Sequence, residues 1–234
     1  MPSKDPAPTA HYQGHRQRLR RRFLDGGADA LPDYELLELL LCLALPQRDV
    51  KPLAKDLLAR FGGLGGVLSA EVAALTQVPG IKENTAAALK LVAAAAGRLA
   101  RTELLGRPVL SSWDKLLEYC RIRLAHEPKE RFHLLFLDRK NALIADETQG
   151  RGTVDHTPVY PREVVKRALD LNASGIIMVH NHPSGDPTPS RADIDMTRLV
   201  HDAARAMGIV LHDHLVIGRD GHVSFRSLGL LPQT

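Results

Sequence analysis

The stretch from Ile176 to Asp193 constrains the fold more than any other part of the chain. Ile176, Ile177, Met178 and Val179 form a short apolar run suited to a buried strand, His180, Asn181 and His182 end it, and Pro183 cannot continue strand pairing. A Pro/Gly-rich loop of Ser184, Gly185, Asp186, Pro187, Thr188 and Pro189 follows, and Ser190-Arg191-Ala192-Asp193 opens a helical pattern. Side chains along a strand alternate faces, so His180 and His182 point to one side and Asn181 to the other. The loop is long enough to return Asp193, in the first turn of the helix, to the same side as the two rings.

Two imidazoles and one carboxylate are protein ligands suited to Zn²⁺, and three protein ligands leave a fourth position for water, as catalytic rather than structural zinc sites do. Bound zinc lowers the pKa of that water towards about 7 and acts as a Lewis acid on a carbonyl, so a base is the part still needed. Ser190 and Asp193 also have the spacing of a helix capping box and could serve only as punctuation, but that leaves two same-face histidines at a strand end unexplained. The tripeptide His-Asn-His is not an HNH nuclease motif, whose residues are separated and lie in a different setting. A metal-dependent nuclease is disfavoured because phosphodiester cleavage commonly uses acidic clusters with Mg²⁺ or paired metals.

Around this stretch the second half alternates strands and helices, an α/β layout around one sheet. Ser111 and Ser112 cap a helix running to about 125, with Leu116, Leu117, Cys120 and Leu124 at helical spacing. Strands are expected over 131–137 and 142–148, joined by a hairpin turn at 138–141, with a further short strand over 153–157. A helix opened by Pro161 runs to about 171, a helix spans 190–207, and strands follow over 209–217 and 222–226. His212-Asp213-His214 lies on the penultimate strand, where it could orient a zinc histidine, form a second metal site or simply end a strand near a polar cleft. His133 and His156 carry weaker signals.

The first half reads as helical throughout. A basic helix over 15–24 places Leu19, Phe23 and Leu24 on one face with Arg16, Arg18, Arg20, Arg21 and Arg22 around the rest, and Gly26-Gly27 stops it. The arginines are either a phosphate-contacting arm or a solvated face. Pro32 near the first turn and Asp33 as a cap start a helix over 34–45, which Pro46 ends, and 52–61 forms another. Gly62-Gly63-Leu64-Gly65-Gly66 lacks the Lys-Ser/Thr of a phosphate loop and is expected to be a turn between helices. Helix, hairpin and helix follow over 70–76, 78–82 and 83–100. The hairpin, Val78-Pro79-Gly80-Ile81-Lys82, resembles a helix-hairpin-helix turn in which backbone N–H groups approach a phosphate, except that Lys82 stands where the second glycine is expected. A packing hairpin between core helices fits as well. The boundary falls over 98–108, giving a disordered lead-in at 1–10, a helical domain at 11–106 and a metal-binding domain at 107–234.

The 234 residues can bury a core without disulfide staples, and Cys42 and Cys120, both inside helical patterns, fit buried thiols in a reducing cytosol. No apolar run reaches the roughly 18 residues of a membrane span and the N-terminus has no signal-peptide core, so a cytoplasmic protein without a membrane partner is expected. A net charge of +4 permits a nucleic-acid or acidic partner without requiring one. Oligomeric state is not legible.

His180-x-His182, seven residues, Ser190, two residues and Asp193 resemble the His-x-His-x7-Ser-x2-Asp motif of the JAB/MPN (JAMM) metallopeptidases, and His-Asn-His-Pro-Ser-Gly at 180–185 resembles the RadC branch. The resemblance covers about 107 to the end and, more weakly, the helical half. It implies a mixed, cytidine-deaminase-like sheet flanked by helices behind a small all-α helix-hairpin-helix-like domain. It further implies hydrolysis of peptide or isopeptide bonds in a protein or peptide substrate. The alternative is a DNA-binding repair or recombination accessory factor, in which the basic segment from Arg16 to Arg22 and the hairpin from Val78 to Lys82 contact DNA and the metal-binding domain serves as a scaffold; both hold if the helical half delivers the hydrolase to DNA-bound proteins. By resemblance His180, His182 and Asp193 hold zinc and Ser190 hydrogen-bonds the water or the developing oxyanion. The family also uses an upstream glutamate as general base. Glu130 fits best, following Pro128 and preceding the strand at 131–137; Glu147 on the next strand is the rival, and Glu163 suits a helix first turn.

Overall fold

The structure, a computed structural model, describes residues 10–151 and 159–232. The lead-in at 1–9, the strand expected over 153–157 and His156 lie outside the described residues. By contact density the chain divides into two compact units, Met1–Ala93 and Ala94–Thr234.

Helices α1 (Ala10–Gly26), α2 (Asp33–Ala44), α3 (Lys51–Phe61), α4 (Leu64–Ser69), α5 (Val72–Thr76) and the first part of α6 (Glu83–Leu104) make up the first unit. Leu37, Leu41, Leu53, Leu57, Leu75 and Leu89 meet in its core, and Leu19, Leu31 and Leu39 form a smaller cluster. Four local expectations are corrected. Leu24 is 72% exposed, so only Leu19 and Phe23 face inward from α1. Pro32, with extended backbone, is the N-cap of α2 and Asp33 its first helical residue, without a side-chain cap. Helix α4 begins inside the glycine run, and Gly66 is needed there because a Cβ would stand 1.8 Å from the Phe61 carbonyl oxygen. Ser112 sits at the N-cap of α7 (Trp113–Leu124) but makes no capping bond, while Ser111 Oγ donates to the Pro108 carbonyl.

The arginines of α1 divide. Arg16 donates to the carbonyls of Leu45, Pro46 and Arg48, satisfying acceptors left over at the end of α2, and Arg22 bonds the Ala30 carbonyl and pairs with Glu35 at 2.7 Å. Arg18, Arg20 and Arg21 are exposed.

The rest of α6, α7 (Trp113–Leu124), α8 (Pro161–Asp170), α9 (Arg191–Ala206) and five strands build the second unit. The strands are β1 (Arg131–Leu137), β2 (Leu143–Arg151), β3 (Gly175–Asn181), β4 (Val210–Ile217) and β5 (His222–Ser224), in the order β2-β1-β3-β4-β5. Only β3 and β4 are parallel, and α9 lies between them in sequence. This is the α/β layout around one sheet that the alternation of patterns predicts, and the mixed sheet flanked by helices that the family resemblance implies. Every residue of β3 is buried, because it is the middle strand and is covered on both faces, which explains its unbroken apolar run. Ile177 and Val179 face α7 with Leu135, Leu137, Leu215 and Ile217; Ile176 and Met178 face α8 and α9 with Phe132, Leu134 and Phe136. By the same alternation His180 emerges on the α8/α9 face.

His133 lies on the α7 face, opposite to the face on which His180 emerges. Its Nδ1 lies 3.2 Å from Asp146 Oδ1, its Nε2 3.3 Å from Thr148 Oγ1, and Tyr119 donates to the other oxygen of Asp146. Burial pushes the Asp146 carboxyl up, but the hydrogen bonds from His133 and Tyr119 outweigh it and hold it below its ordinary value. A carboxyl depressed by folding contributes stability above its unfolded value of about 3.9, and that contribution is lost as pH falls through the lower folded value. Asp146→Asn is therefore expected to be less stable than the parent in urea at pH 6, with the gap narrowing as pH falls below about 3.9. An unchanged gap would show that the buried carboxylate is not held in its charged form by this network.

Candidate metal centre

The C-terminal end of β3, the loop after it and the first turn of α9 bring three acceptors together. His180 Nε2 lies 3.0 Å from His182 Nε2, 3.3 Å separates it from Asp193 Oδ1, and His182 Nε2 is 3.5 Å from Asp193 Oδ2. Among the described residues this is the one group of three or more His, Cys, Asp or Glu whose ligand atoms converge, all within 4.8 Å. His180 is buried, while the side chains of His182 and Asp193 are 17% and 13% exposed, so the cluster is closed below and open on one side. The second metal site considered for residues 212–214 does not form among the described residues.

Each ligand is aimed by a local device. His182 Nδ1 donates to the Asp186 carbonyl at 2.9 Å, which leaves Nε2 of the neutral ring as a bare lone pair pointing at the cluster. The loop is pinned by His182 N to the Ile217 carbonyl at 3.0 Å and by Arg219 N to the Gly185 carbonyl at 3.1 Å. Gly185 has a φ of +95° and lies under the Arg219 side chain, so a larger residue there would strain the turn. Ser190 and Asp193 form the capping box: Ser190 N and Oγ donate to Asp193 Oδ2 at 2.7 and 2.6 Å, and Asp193 N donates back to Ser190 Oγ at 3.2 Å. Punctuation and metal-ligand geometry are thus the same arrangement, in which the cap fixes the carboxylate beside the rings.

The electrostatics match a cation site. Burial pushes the Asp193 carboxyl up, yet its contacts with the His180 and His182 rings and with Ser190 hold it far below its ordinary value. The hydrogen bond that a protonated ring would make to Asp193, against burial, raises the pKa of His182, with smaller contributions from the Asp186 carbonyl and the charges of Asp193 and Glu130. Acceptors facing one another at these distances repel unless a proton or a metal ion lies between them, so the residues present fit a divalent ion.

Glu130 lies in the segment that enters β1, and β1 aligns Phe132 with His180, which brings Glu130 to the His182 end of β3. Glu147 is placed differently: Arg167 of α8 grips both its oxygens at 2.7 and 2.5 Å and keeps its carboxyl low. Glu163 pairs with Arg162 at 3.3 Å. Asn181, turned to the opposite face between the two histidines, holds the Glu130 segment. Its Oδ1 accepts from Arg131 N at 2.9 Å, and its Nδ2 donates to the Glu127 and Lys129 carbonyls at 3.2 Å each.

The His212-Asp213-His214 cluster separates three ways. Ile176 pairs with Leu211 and Ile177 with Asp213, so His212 is the unpaired residue of a β-bulge and lies against Gly175. Asp213 accepts from the backbone of His214 and Arg226 and from Ser224 Oγ, tying β4 to β5. Below the bulge His214 faces the candidate metal cluster, 2.8 Å from His180 Nδ1, and both rings are packed by aromatic side chains, Phe132 on His180 and Phe225 on His214. Regular alternation would have put His212 and His214 on one face; the bulge separates them. Neither Thr197, which meets His214, nor Phe225 carries a sequence motif that marks it.

A family model described as a RadC-like JAB domain matches residues 110–230, and a second, UPF0758 N-terminal, matches 13–87. The chain belongs to the RadC-like JAB (UPF0758) family. A UPF0758 protein of Rhodobacter capsulatus is 65% identical over 213 residues, which is 91% of this chain and all of that protein. Another from Ruegeria pomeroyi is 57% identical over 222 residues, 95% of this chain and 99% of that protein. The first family model thus covers the α/β half with the candidate metal centre, and the second covers most of the helical half. Among the described residues no helix is long and apolar enough to cross a membrane.

Replacing Asn181 by Leu, similar in size, removes the clamp on the Glu130 segment. Faster hydrogen exchange at the Arg131 amide is expected, with a stability loss of about 1–3 kcal/mol in denaturant. An Arg131 amide as protected as in the parent would contradict the clamp.

Proposed function

We propose that the chain is a zinc-dependent amide hydrolase of the metallopeptidase type, acting on peptide or isopeptide bonds. The observation that carries this reading is the convergence of His180 Nε2, His182 Nε2 and Asp193 on one side-open point, with Glu130 at the same end of β3. His180, His182 and Asp193 would hold the ion. When bound, zinc supplies a Lewis acid for the scissile carbonyl and brings a water towards a pKa of about 7.

Glu130 takes a proton from the attacking water as its oxygen bonds to the carbonyl carbon, and delivers that proton to the amine as the C–N bond breaks. Asn181 keeps the segment carrying Glu130 against the end of β3. Ser190 first holds the Asp193 carboxylate; rotation about its Cβ–Oγ bond redirects the same O–H to the substrate oxygen as negative charge builds there. His180, buried under Phe132, leaves water access only from the His182 and Asp193 side.

A second reading concerns the helical unit, with exposed Arg18, Arg20 and Arg21 on α1 and the guanidinium of Arg48 lying over Gly80 beside Lys82. These favour phosphate contacts, which would deliver the hydrolase to DNA-associated proteins. On that reading, DNA affinity of the full chain falls steeply with salt and the salt slope becomes shallower in a variant with Lys82 and Arg48 both changed to Gln. Salt-independent or absent DNA binding counts against it.

For the hydrolase itself, Glu130→Gln is expected to keep its zinc while cleavage of a peptide library, read by mass spectrometry, falls about 10²–10⁴-fold. Cleavage that survives Glu130→Gln and vanishes in Glu147→Gln would move the base to β2.

A further inference from the structure

An imidazole can bind a metal through Nε2 only when its ring proton sits on Nδ1. For His182 the Asp186 carbonyl settles this. For His180 the partner of Nδ1 is another imidazole, His214 Nε2 at 2.8 Å, and two facing ring nitrogens share a single proton that either ring could own. If His214 owned it, the proton of neutral His180 would lie on Nε2, in the way of the ion.

The asymmetry is set one bond further along. Thr197 Oγ1 is 2.5 Å from the Asp193 carbonyl oxygen and 2.7 Å from His214 Nδ1. A carbonyl oxygen only accepts, so the one hydroxyl proton of Thr197 goes to Asp193. Towards His214 the hydroxyl oxygen is then an acceptor, and His214 Nδ1 must carry N–H. Both rings and Thr197 are fully buried, and His214 faces only neutral groups through its two nitrogens, a setting in which a second proton on that ring is costly. His214 Nε2 is therefore bare and accepts from His180 Nδ1–H.

We propose that Thr197 and His214 are positioning residues that fix the ring proton of His180 on Nδ1 and so present its Nε2 as a lone pair to the metal. The relay is anchored on the backbone of Asp193, one turn before Thr197 on α9, so the helical turn that carries the carboxylate ligand also sets the tautomer of the deepest imidazole ligand. The bulge at His212 is what turns His214 to this face. The proposal rests on the metal-centre reading and adds the source of its proton placement.

The test uses the full chain in the parent form, in Thr197→Val, which removes the hydroxyl at similar volume, and in Thr197→Ser, which keeps it. In metal-free protein, long-range ¹H–¹⁵N correlation of the imidazole nitrogens is expected to show His180 and His214 protonated on Nδ1 in the parent and in Thr197→Ser. In Thr197→Val both rings should populate the Nε2–H form. Zinc affinity by chelator competition should fall about 10- to 100-fold in Thr197→Val and be restored to within about threefold in Thr197→Ser. Nε2–H on His180 in the parent, or undiminished zinc affinity in a folded Thr197→Val, would overturn the relay. A parent that shows the proposed tautomers but binds no zinc would overturn the metal-centre reading instead. Because the tautomers are read in the unsubstituted protein, the proton placement is tested even if a variant fails to fold.

Discussion

Three electron-pair donors, His180 Nε2, His182 Nε2 and a carboxylate oxygen of Asp193, are held within 4.8 Å of one another, and groups of that kind repel unless a cation lies between them. Much of the second unit serves to hold them there. The middle strand delivers one ring into the dry α8/α9 face, the pinned loop brings the second, and the capping box of α9 brings the carboxylate. Each donor has its other polar atoms engaged by a specific partner, so none can readily rotate away from the repulsion. The site is preorganised by hydrogen bonds that belong equally to the fold.

That double use runs through the surroundings. Ser190 and Asp193 begin a helix and orient a ligand with the same bonds. Asn181, one residue from each histidine, binds the backbone on either side of Glu130 from the opposite face of the sheet, so the entry of β1 and the end of β3 form one rigid corner. Asp213, buried in a strand, ties β4 to β5 just where the bulge has changed the facing of His214. Polar groups buried this deeply are costly unless satisfied, and here their satisfaction fixes the geometry that chemistry needs.

The site was legible in the sequence to the extent that its chemistry is local. Two residues i and i+2 of a strand share a face whatever the fold, and the loop from Ser184 to Pro189 is long enough to return Asp193 to them, so the candidate ligands could be read from spacing. The alternation of strand and helix patterns likewise foretold an α/β layout around one sheet. What was not legible depends on long-range register. The bulge at His212 is set by pairing with β3, and it decides which of two histidines meets His180. Thr197 and Phe225 are ordinary core residues until the sheet and α9 are assembled. Arg167, which engages both oxygens of Glu147, is a helix residue whose reach to β2 no local pattern announces. At the helical end, Leu24 failed as a core residue and Arg16 became a cap for the carbonyls after α2, since an amphipathic pattern gives the buried face only approximately.

X-ray absorption at the zinc edge of the zinc-loaded full chain tests the central claim most directly. The account predicts a low-coordinate zinc with two imidazole nitrogens and oxygen ligands at about 2.0–2.2 Å, the imidazole scattering being halved in His182→Ala. Sulfur scatterers at about 2.3 Å, or a spectrum without imidazole that is unchanged by that substitution, would contradict it.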